Sequence, residues 1–261
     1  MKISIITITY NSAATLATTL ESVAAQDYQD IEHIIVDGLS KDNTMEIVKQ
    51  FPHVSKWVSE KDKGLYDALN KGIQMATGDV VGLIHSDDFL ASKDAVSKIV
   101  KAFQEHNTDS IIGDISFVNP DNLKKVVRHY SSKNWKPSKF AKGYMPAHPA
   151  FYCKRDLFEK YGYYKMGYKI AADYELLIRF LYTHNVSYKY IPETIVFMRT
   201  GGTSNENFKS RYILNQEIVR ACKENGINTS MTKLSFKYLN KIFEYVNPML
   251  NNLLRKWSKK Y

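Results

Sequence analysis

His85-Ser86-Asp87-Asp88 closes the apolar run Val80-Val81-Gly82-Leu83-Ile84. An apolar run that ends in two adjacent carboxylates reads as a buried strand opening into a polar cleft. Unpaired carboxylates are costly to bury, so a strand end in a cleft is where they meet a cation. Mg²⁺ and Mn²⁺ take hard oxygen ligands, commonly one or two carboxylates plus the oxygens of a substrate diphosphate. The residues therefore suit a metal–diphosphate site. An Asp-rich turn after a strand has the same composition, and the tetrapeptide alone leaves both readings open.

The elements around it give it a place. Apolar periodicity predicts strands over 3–9, 31–36, 54–58 and 80–84, and helices over 13–26, 43–50 and 65–76. Leu16, Leu20, Val23 and Ala24 share one helical stripe, and Leu65, Leu69, Ile73 and Ala76 another. Strand–helix alternation with short links predicts an α/β fold with a mostly parallel, doubly wound sheet. Such sheets bind ligands at the carboxyl ends of their strands. Thr9-Tyr10-Asn11, Asp37 and Asp87-Asp88 all fall at such ends. The second half is less regular. It predicts a helix over 92–104, strands over 110–118 and 124–130 joined by the Asn119–Asn122 turn, a strand over 147–153 and a helix over 173–184. Short strands over 186–190 and 194–198, a loop at 201–205 and a helix over 206–225 follow.

Composition narrows the class. The 261 residues are 44% hydrophobic and 24% charged, an ordinary globular balance. Cys153 and Cys222 lie far apart with no CxxC, which signals neither a zinc site nor a disulfide framework and suits reduced thiols of a cytoplasmic protein. The first residues alternate like a strand and lack the core of an export signal. No apolar run reaches the ~18 residues of a spanning helix. Seven Lys and Arg against a single Glu244 in 230–261 put most of the net charge of +9 in the tail. A nucleic-acid groove across the main body is therefore not expected.

With these residues assembled, the chain resembles glycosyltransferase family 2, whose members have the GT-A fold. The matching segments are Ile-Thr-Tyr-Asn at 8–11, Val-Asp-Gly-Leu-Ser-Lys-Asp-Asn-Thr at 36–44 and Ser-Glu-Lys-Asp-Lys-Gly-Leu-Tyr-Asp-Ala-Leu-Asn-Lys-Gly-Ile at 59–73. Ala-Thr-Gly-Asp at 76–79, Ser-Asp-Asp at 86–88, His148-Pro-Ala-Phe and Ala-Asp-Tyr-Glu-Leu at 172–176 follow in family order. The resemblance implies a GT-A domain over 1–204, with a nucleotide-binding half over 1–90 and an acceptor half over 91–204. Residues 205–261 then form a C-terminal helical appendage.

The resemblance also implies inverting transfer of a sugar from a nucleotide diphosphate donor to a hydroxyl acceptor, with roles for particular residues. Tyr10 would lie against the donor base, flanked by Thr9 and Asn11, and Asp37 would accept the base's imide N–H, a pairing that suits uracil. Asp88 would touch a divalent cation, Mn²⁺ or Mg²⁺. Asp87 would face the donor sugar or ribose, and Ser86 stands at the motif's first acidic position. Asp67 and Asn70 would lie at the donor and Lys71 near its phosphates, although Asp67 and Lys71 at i, i+4 equally make a surface ion pair. His148 matches a histidine near the diphosphate. Asp173 would be the catalytic base, Glu175 is the alternative, and Ala172 replaces the acidic residue that many members place before the base.

The tail shows two apolar stripes, Leu239/Ile242/Phe243/Val246 and Leu250/Leu253/Leu254/Trp257, broken by Pro248 and flanked by basic residues. Such a segment suits an anionic membrane surface, as a lipid-linked acceptor would require, or a partner subunit in a homodimer. The expected protein is a metal-dependent transferase of UDP-sugars at the cytoplasmic face of the membrane, extending a bacterial capsule, O-antigen or exopolysaccharide. A non-catalytic nucleotide-sugar-binding module is the alternative. A nucleotidyltransferase would need a glycine-rich basic loop after the first strand, which Thr9-Tyr10-Asn11-Ser12 lacks.

Overall fold

The computed structural model describes residues 1–201 and 208–234. In chain order the strands are β1 (Ile3–Thr9), β2 (Ile31–Asp37), β3 (Val54–Ser59), β4 (Val80–Leu83), β5 (Phe89–Leu90), β6 (Ser110–Asn119), β7 (Asn122–Tyr130), β8 (Phe151–Lys154) and β9 (Tyr188–Arg199). The helices are α1 (Leu16–Ala24), α2 (Thr44–Val48), α3 (Leu65–Met75), α4 (Ala95–His106), α5 (Asp156–Tyr161), α6 (Ala172–Ile178) and α7 (Phe208–Glu224). One sheet runs β3-β2-β1-β4-β8-β6-β9-β5, with β7 beside β6. β1, β2, β3, β4, β6 and β9 point one way, and β5, β7 and β8 oppose them. The fold is α/β with a mostly parallel sheet and flanking helices.

β1 is buried along its whole length because both faces of the sheet are covered. Ile3 and Ile5 belong to one core with Val96, Ile99 and Phe103 of α4, whereas Ile6 and Ile8 belong to another that holds Leu69 and Ile73 of α3 and Leu176 and Leu177 of α6. Gly82 of β4 has no side chain because the Tyr152 ring of β8 lies where a Cβ would be. From the C-terminal segment, Ile218, Ala221, Cys222, Ile227 and Leu234 join the same core as Leu176 and Leu177. Both cysteines are buried free thiols. Among the described residues no helix is long and apolar enough to cross a membrane.

Three local expectations are corrected. The strand expected over 147–153 begins as a 3₁₀ turn, His148–Ala150, because Pro149 fixes the backbone there, and only Phe151–Lys154 pairs. The two strands expected over 186–190 and 194–198 are one continuous β9; Pro192 is absorbed where the ladder with β6 skips from Ile112↔Tyr190 to Asp114↔Thr194. The helix expected over 173–184 is α6 followed by a π turn, Arg179–Thr183. Both apolar stripes of the tail lie outside the described residues, as does the loop beyond Gly201.

Candidate active site

A cleft of about 1340 Å³ opens along the carboxyl ends of the parallel strands. Its walls bring together Thr9, Tyr10 and Asn11 after β1, Ser86, Asp87 and Asp88 after β4, and His148 and Asp173 from the second half. Asp37, Asp67, Asn70 and Lys71 are not in the wall.

The first loop is fixed by its neighbours. Asn11 takes a left-handed backbone conformation (φ 50°), its N–H donates to Ser40 Oγ at 2.8 Å, and its Oδ1 accepts from Lys41 N at 2.8 Å. The Oγ atoms of Ser12 and Ser86 are 2.9 Å apart, joining the loops after β1 and β4. The Tyr10 ring is 59% exposed on the cleft wall, where its face is open to a flat ring.

Asp88 is 1% exposed. Thr19 Oγ1 of α1 donates to its carbonyl at 2.6 Å, and its own N–H donates to His85 O at 3.0 Å. Its Oδ2 is buried with no hydrogen-bond partner. Burial, with the Asp87 charge adding, pushes the Asp88 carboxyl well above the usual carboxylate range, and Arg199 opposes this. A buried carboxylate oxygen without a donor, facing a cleft, fits a hard divalent cation. Among the described residues no three His, Cys, Asp or Glu side chains gather to hold a metal alone. Such an ion would complete its shell from water and a diphosphate. Thr9 Oγ1 is a second buried polar atom without a partner in the same wall.

Arg199, at the end of β9, was not foreseen. Its guanidinium donates to the Asp87 carbonyl and stands 5.5 Å from the Phe89 ring centroid. The sequence offered only its place at a strand end before Gly201-Gly202, which gained meaning once β9 proved continuous. With Lys61 and Arg128, Arg199 supplies the wall's cationic side chains. The histidines do not: burial, with a smaller contribution from His85, pushes His148 down to about 3, and burial lowers His85 too. Neutral His148 Nε2 lies 2.7 Å from Tyr164 OH and offers the cleft a hydrogen-bonding ring, not a charge.

Asp173 stands in the first turn of α6, and its Oδ1 accepts the Tyr174 N–H at 2.7 Å. Burial, reinforced by the Glu217 charge, pushes its carboxyl up to about 6 despite that hydrogen bond. Glu175, the alternative base, is fully buried; it pairs with Arg179 (2.9 Å) and Lys165 (2.9 Å) and does not line the cleft.

The residues outside the wall have other partners. Asp37 Oδ2 accepts from Ser40 N (3.0 Å) and Ser59 Oγ (2.6 Å), and its Oδ1 from Ser40 Oγ. Asp67 accepts from Lys63 N at 2.9 Å, and Lys71 pairs with Glu60 at 2.7 Å and Asp67 at 3.5 Å. Asn70 makes two backbone bonds to Tyr164, each 2.9 Å. Together with Tyr66, which donates to Ile170 O, it makes α3 a brace for the loop that leads to Asp173.

Residues 4–162 match the family model described as Glycosyl transferase family 2. The chain is 33% identical over 180 residues to an uncharacterized glycosyltransferase of Mycobacterium tuberculosis, covering 68% of each. It is 29% identical over 213 residues to a PGL/p-HBAD biosynthesis glycosyltransferase of Mycobacterium bovis, covering 77% of this chain and 78% of that one. The fold is similar to S. aureus TarS 1-349 in complex with UDP-GlcNAc, with a TM-score of 0.68, 19% identity and coverage of 94% and 73%. It is also similar to the mannosyltransferase PcManGT of Pyrobaculum calidifontis in complex with GDP-Man and Mn²⁺, with a TM-score of 0.63, 21% identity and coverage of 89% and 66%.

Proposed function

We propose, on the premise that this chain belongs to glycosyl transferase family 2, that it moves a sugar from UDP to a hydroxyl of a glycan acceptor with inversion at the anomeric carbon. The observation that carries the reading is one cleft holding a buried, unpartnered Asp88 oxygen together with Asp173, a carboxyl raised to about 6. The solved relative with UDP-GlcNAc supports a uridine donor, and the one with GDP-Man and Mn²⁺ supports a divalent cation.

Asp173 Oδ2 takes the proton of the acceptor hydroxyl as its oxygen attacks the anomeric carbon, opposite the departing diphosphate. The Tyr174 N–H, bonded to Oδ1, fixes the carboxylate for that transfer. Asp88 would hold a divalent cation, Mn²⁺ or Mg²⁺, which when bound would neutralise charge on the diphosphate as a Lewis acid. Arg199 adds a fixed positive charge on the same wall. Tyr10 stacks on the base. Asp37 lies behind the wall next to Gly38, fully buried and with three of its roughly four acceptor sites taken by Ser40 and Ser59, so it would meet the uracil imide N–H only if the base reached past Gly38. The acceptor is lipid-linked, the product is a bacterial surface polysaccharide, and the enzyme works at the cytoplasmic face of the membrane. Relatives named for PGL/p-HBAD biosynthesis support a role in glycoconjugate assembly.

Calorimetric titration of UDP, GDP and TDP, with and without Mn²⁺, on wild type and Asp88→Ala tests this. UDP-selective binding that Mn²⁺ strengthens and the variant weakens is the expected result. Equal binding of all three nucleotides would remove the uridine donor, and no nucleotide binding would overturn the donor site altogether.

A further inference from the structure

We propose that Glu217, on the C-terminal helix α7, is a positioning residue for Asp173: it fixes the backbone from which Asp173 is presented. This rests on the reading of Asp173 as the base. Glu217 is 9% exposed and spends both carboxylate oxygens on one short stretch of chain. Its Oε1 accepts from Lys169 N at 2.7 Å, and its Oε2 accepts from Ile170 N and Ala171 N, each at 2.9 Å. Three consecutive N–H groups converging on one carboxylate form a fixed anion cradle, and charge-assisted bonds of this kind are about twice as strong as neutral ones. The cradle ends two residues before Asp173. From the opposite side Tyr66 OH of α3 donates to the Ile170 carbonyl, so the same peptide is gripped by α3 and α7 together. Ala171, the residue before α6, has no side chain able to cap the helix. Glu217 therefore fixes, from another element, the chain that leads into α6.

The arrangement also sets charge. Among the described residues, the titratable groups that interact electrostatically with Asp173 are Tyr66 from α3, Tyr164 from the preceding loop and Glu217 from α7. Burial keeps both tyrosines protonated, which leaves Glu217 as the nearby charge that favours the protonated form of Asp173. Arg220, one turn along α7, stands over the Tyr168 ring and pairs with Glu224. The residue just before Asp173 is Ala172, which brings no charge of its own. Here an anion reaches the same neighbourhood from α7, beyond the residues that match the family model.

The test uses the full chain and needs no acceptor. Amide hydrogen exchange and a carbon-13 NMR titration of Asp173, assigned against Asp173→Asn, are measured in wild type, Glu217→Gln and Glu217→Asp. In Glu217→Gln the amides of Lys169, Ile170 and Ala171 should exchange at least tenfold faster while β1 and β4 keep their protection. Asp173 should titrate at lower pH, and UDP affinity should stay within twofold. Glu217→Asp, which retains the charge, should titrate nearer to wild type than Glu217→Gln does. Unchanged protection and titration in Glu217→Gln, equal titration in the two variants, or protection lost evenly across the sheet would each overturn the proposal. Asp173→Asn reports separately on the base. Transfer retained in that variant would end the base reading, while the exchange pattern would still judge Glu217.

Discussion

A carboxyl that must accept a proton at neutral pH works best when its own proton affinity lies near the ambient pH. Asp173, raised to about 6, meets that condition, and transfer should therefore fall as pH drops below about 6, where the carboxyl is already protonated. A pH–rate profile checks this, and Asp173→Asn should lower transfer by about 10³-fold while UDP affinity stays within a few-fold, read by calorimetry. The same shift has a stability side with a definite sign. Folding favours the protonated form, so that contribution is complete below the ordinary 3.8 and is lost as pH rises toward about 6. Asp173→Asn should flatten the melting temperature over that window. At Asp88 the unpartnered Oδ2 costs stability whenever no cation is bound. Asp88→Asn should therefore melt a few degrees higher than wild type in chelator, yet gain nothing from UDP with Mn²⁺, as thermal denaturation would show. Asp87 and Asp88 were legible from residue type and strand-end position, Asp173 and His148 only through the family resemblance, and all four reach the cleft. The neutrality of His148 was not legible, because it depends on burial by residues distant in the sequence.

Elements set these residues by reaching across the sheet. The face Tyr66, Asn70, Ile73 was readable as one side of a helix, but its target was not: the partners of Tyr66 and Asn70 lie about a hundred positions on, at Ile170 and Tyr164. Asn70→Ala removes two backbone bonds to Tyr164 and should destabilise by about 1–3 kcal/mol, measured by urea denaturation. It should also broaden the His148 ring resonances, since Tyr164 OH is the partner of that ring. Gly82→Ala drives a methyl into the Tyr152 ring and should cost about 1–3 kcal/mol by the same measurement. The parallel half of the sheet was legible because its buried strands are continuous apolar runs separated by amphipathic helices. β9 was not, because Pro192 reads as a strand break, and the pairing with β6 resumes only after β9 accommodates extra residues between Tyr190 and Val196.

At the scale of the whole molecule, chemistry and charge lie in different parts of the sequence. The cleft runs along the strand ends of the described residues, whereas most of the net charge of +9 falls within residues 230–261. The described part of the C-terminal segment is integral: Ile227 and Leu234 are core residues. A truncation that tests membrane contact must therefore fall after residue 234, not before it. The chain ending at 234 should keep its UDP affinity and lose co-sedimentation with vesicles of anionic lipid. Retained vesicle binding with loss of a dimer in analytical ultracentrifugation would assign the tail to subunit contact. The carboxylate that anchors the loop before Asp173 was invisible in the sequence for a related reason: Glu217 looks like any polar residue on an amphipathic helix until α7 is docked.

Connecting loops are ordinarily where related proteins gain and lose residues. The stretch from Tyr161 to Asp173 has little such freedom. Arg179 takes the carbonyls of Tyr161, Gly162 and Tyr163, Asn70 takes both backbone groups of Tyr164, and Glu217 takes the amides of residues 169–171. The segment acts as a ruler with marks at both ends, and one inserted residue would slip the chain by about 3.8 Å against them. Change over evolution is then confined to substitution of side chains here, and to length variation in loops without such anchors. Inserting a residue into this interval should cost the alignment of Asp173 while β1 and β4 stay in place.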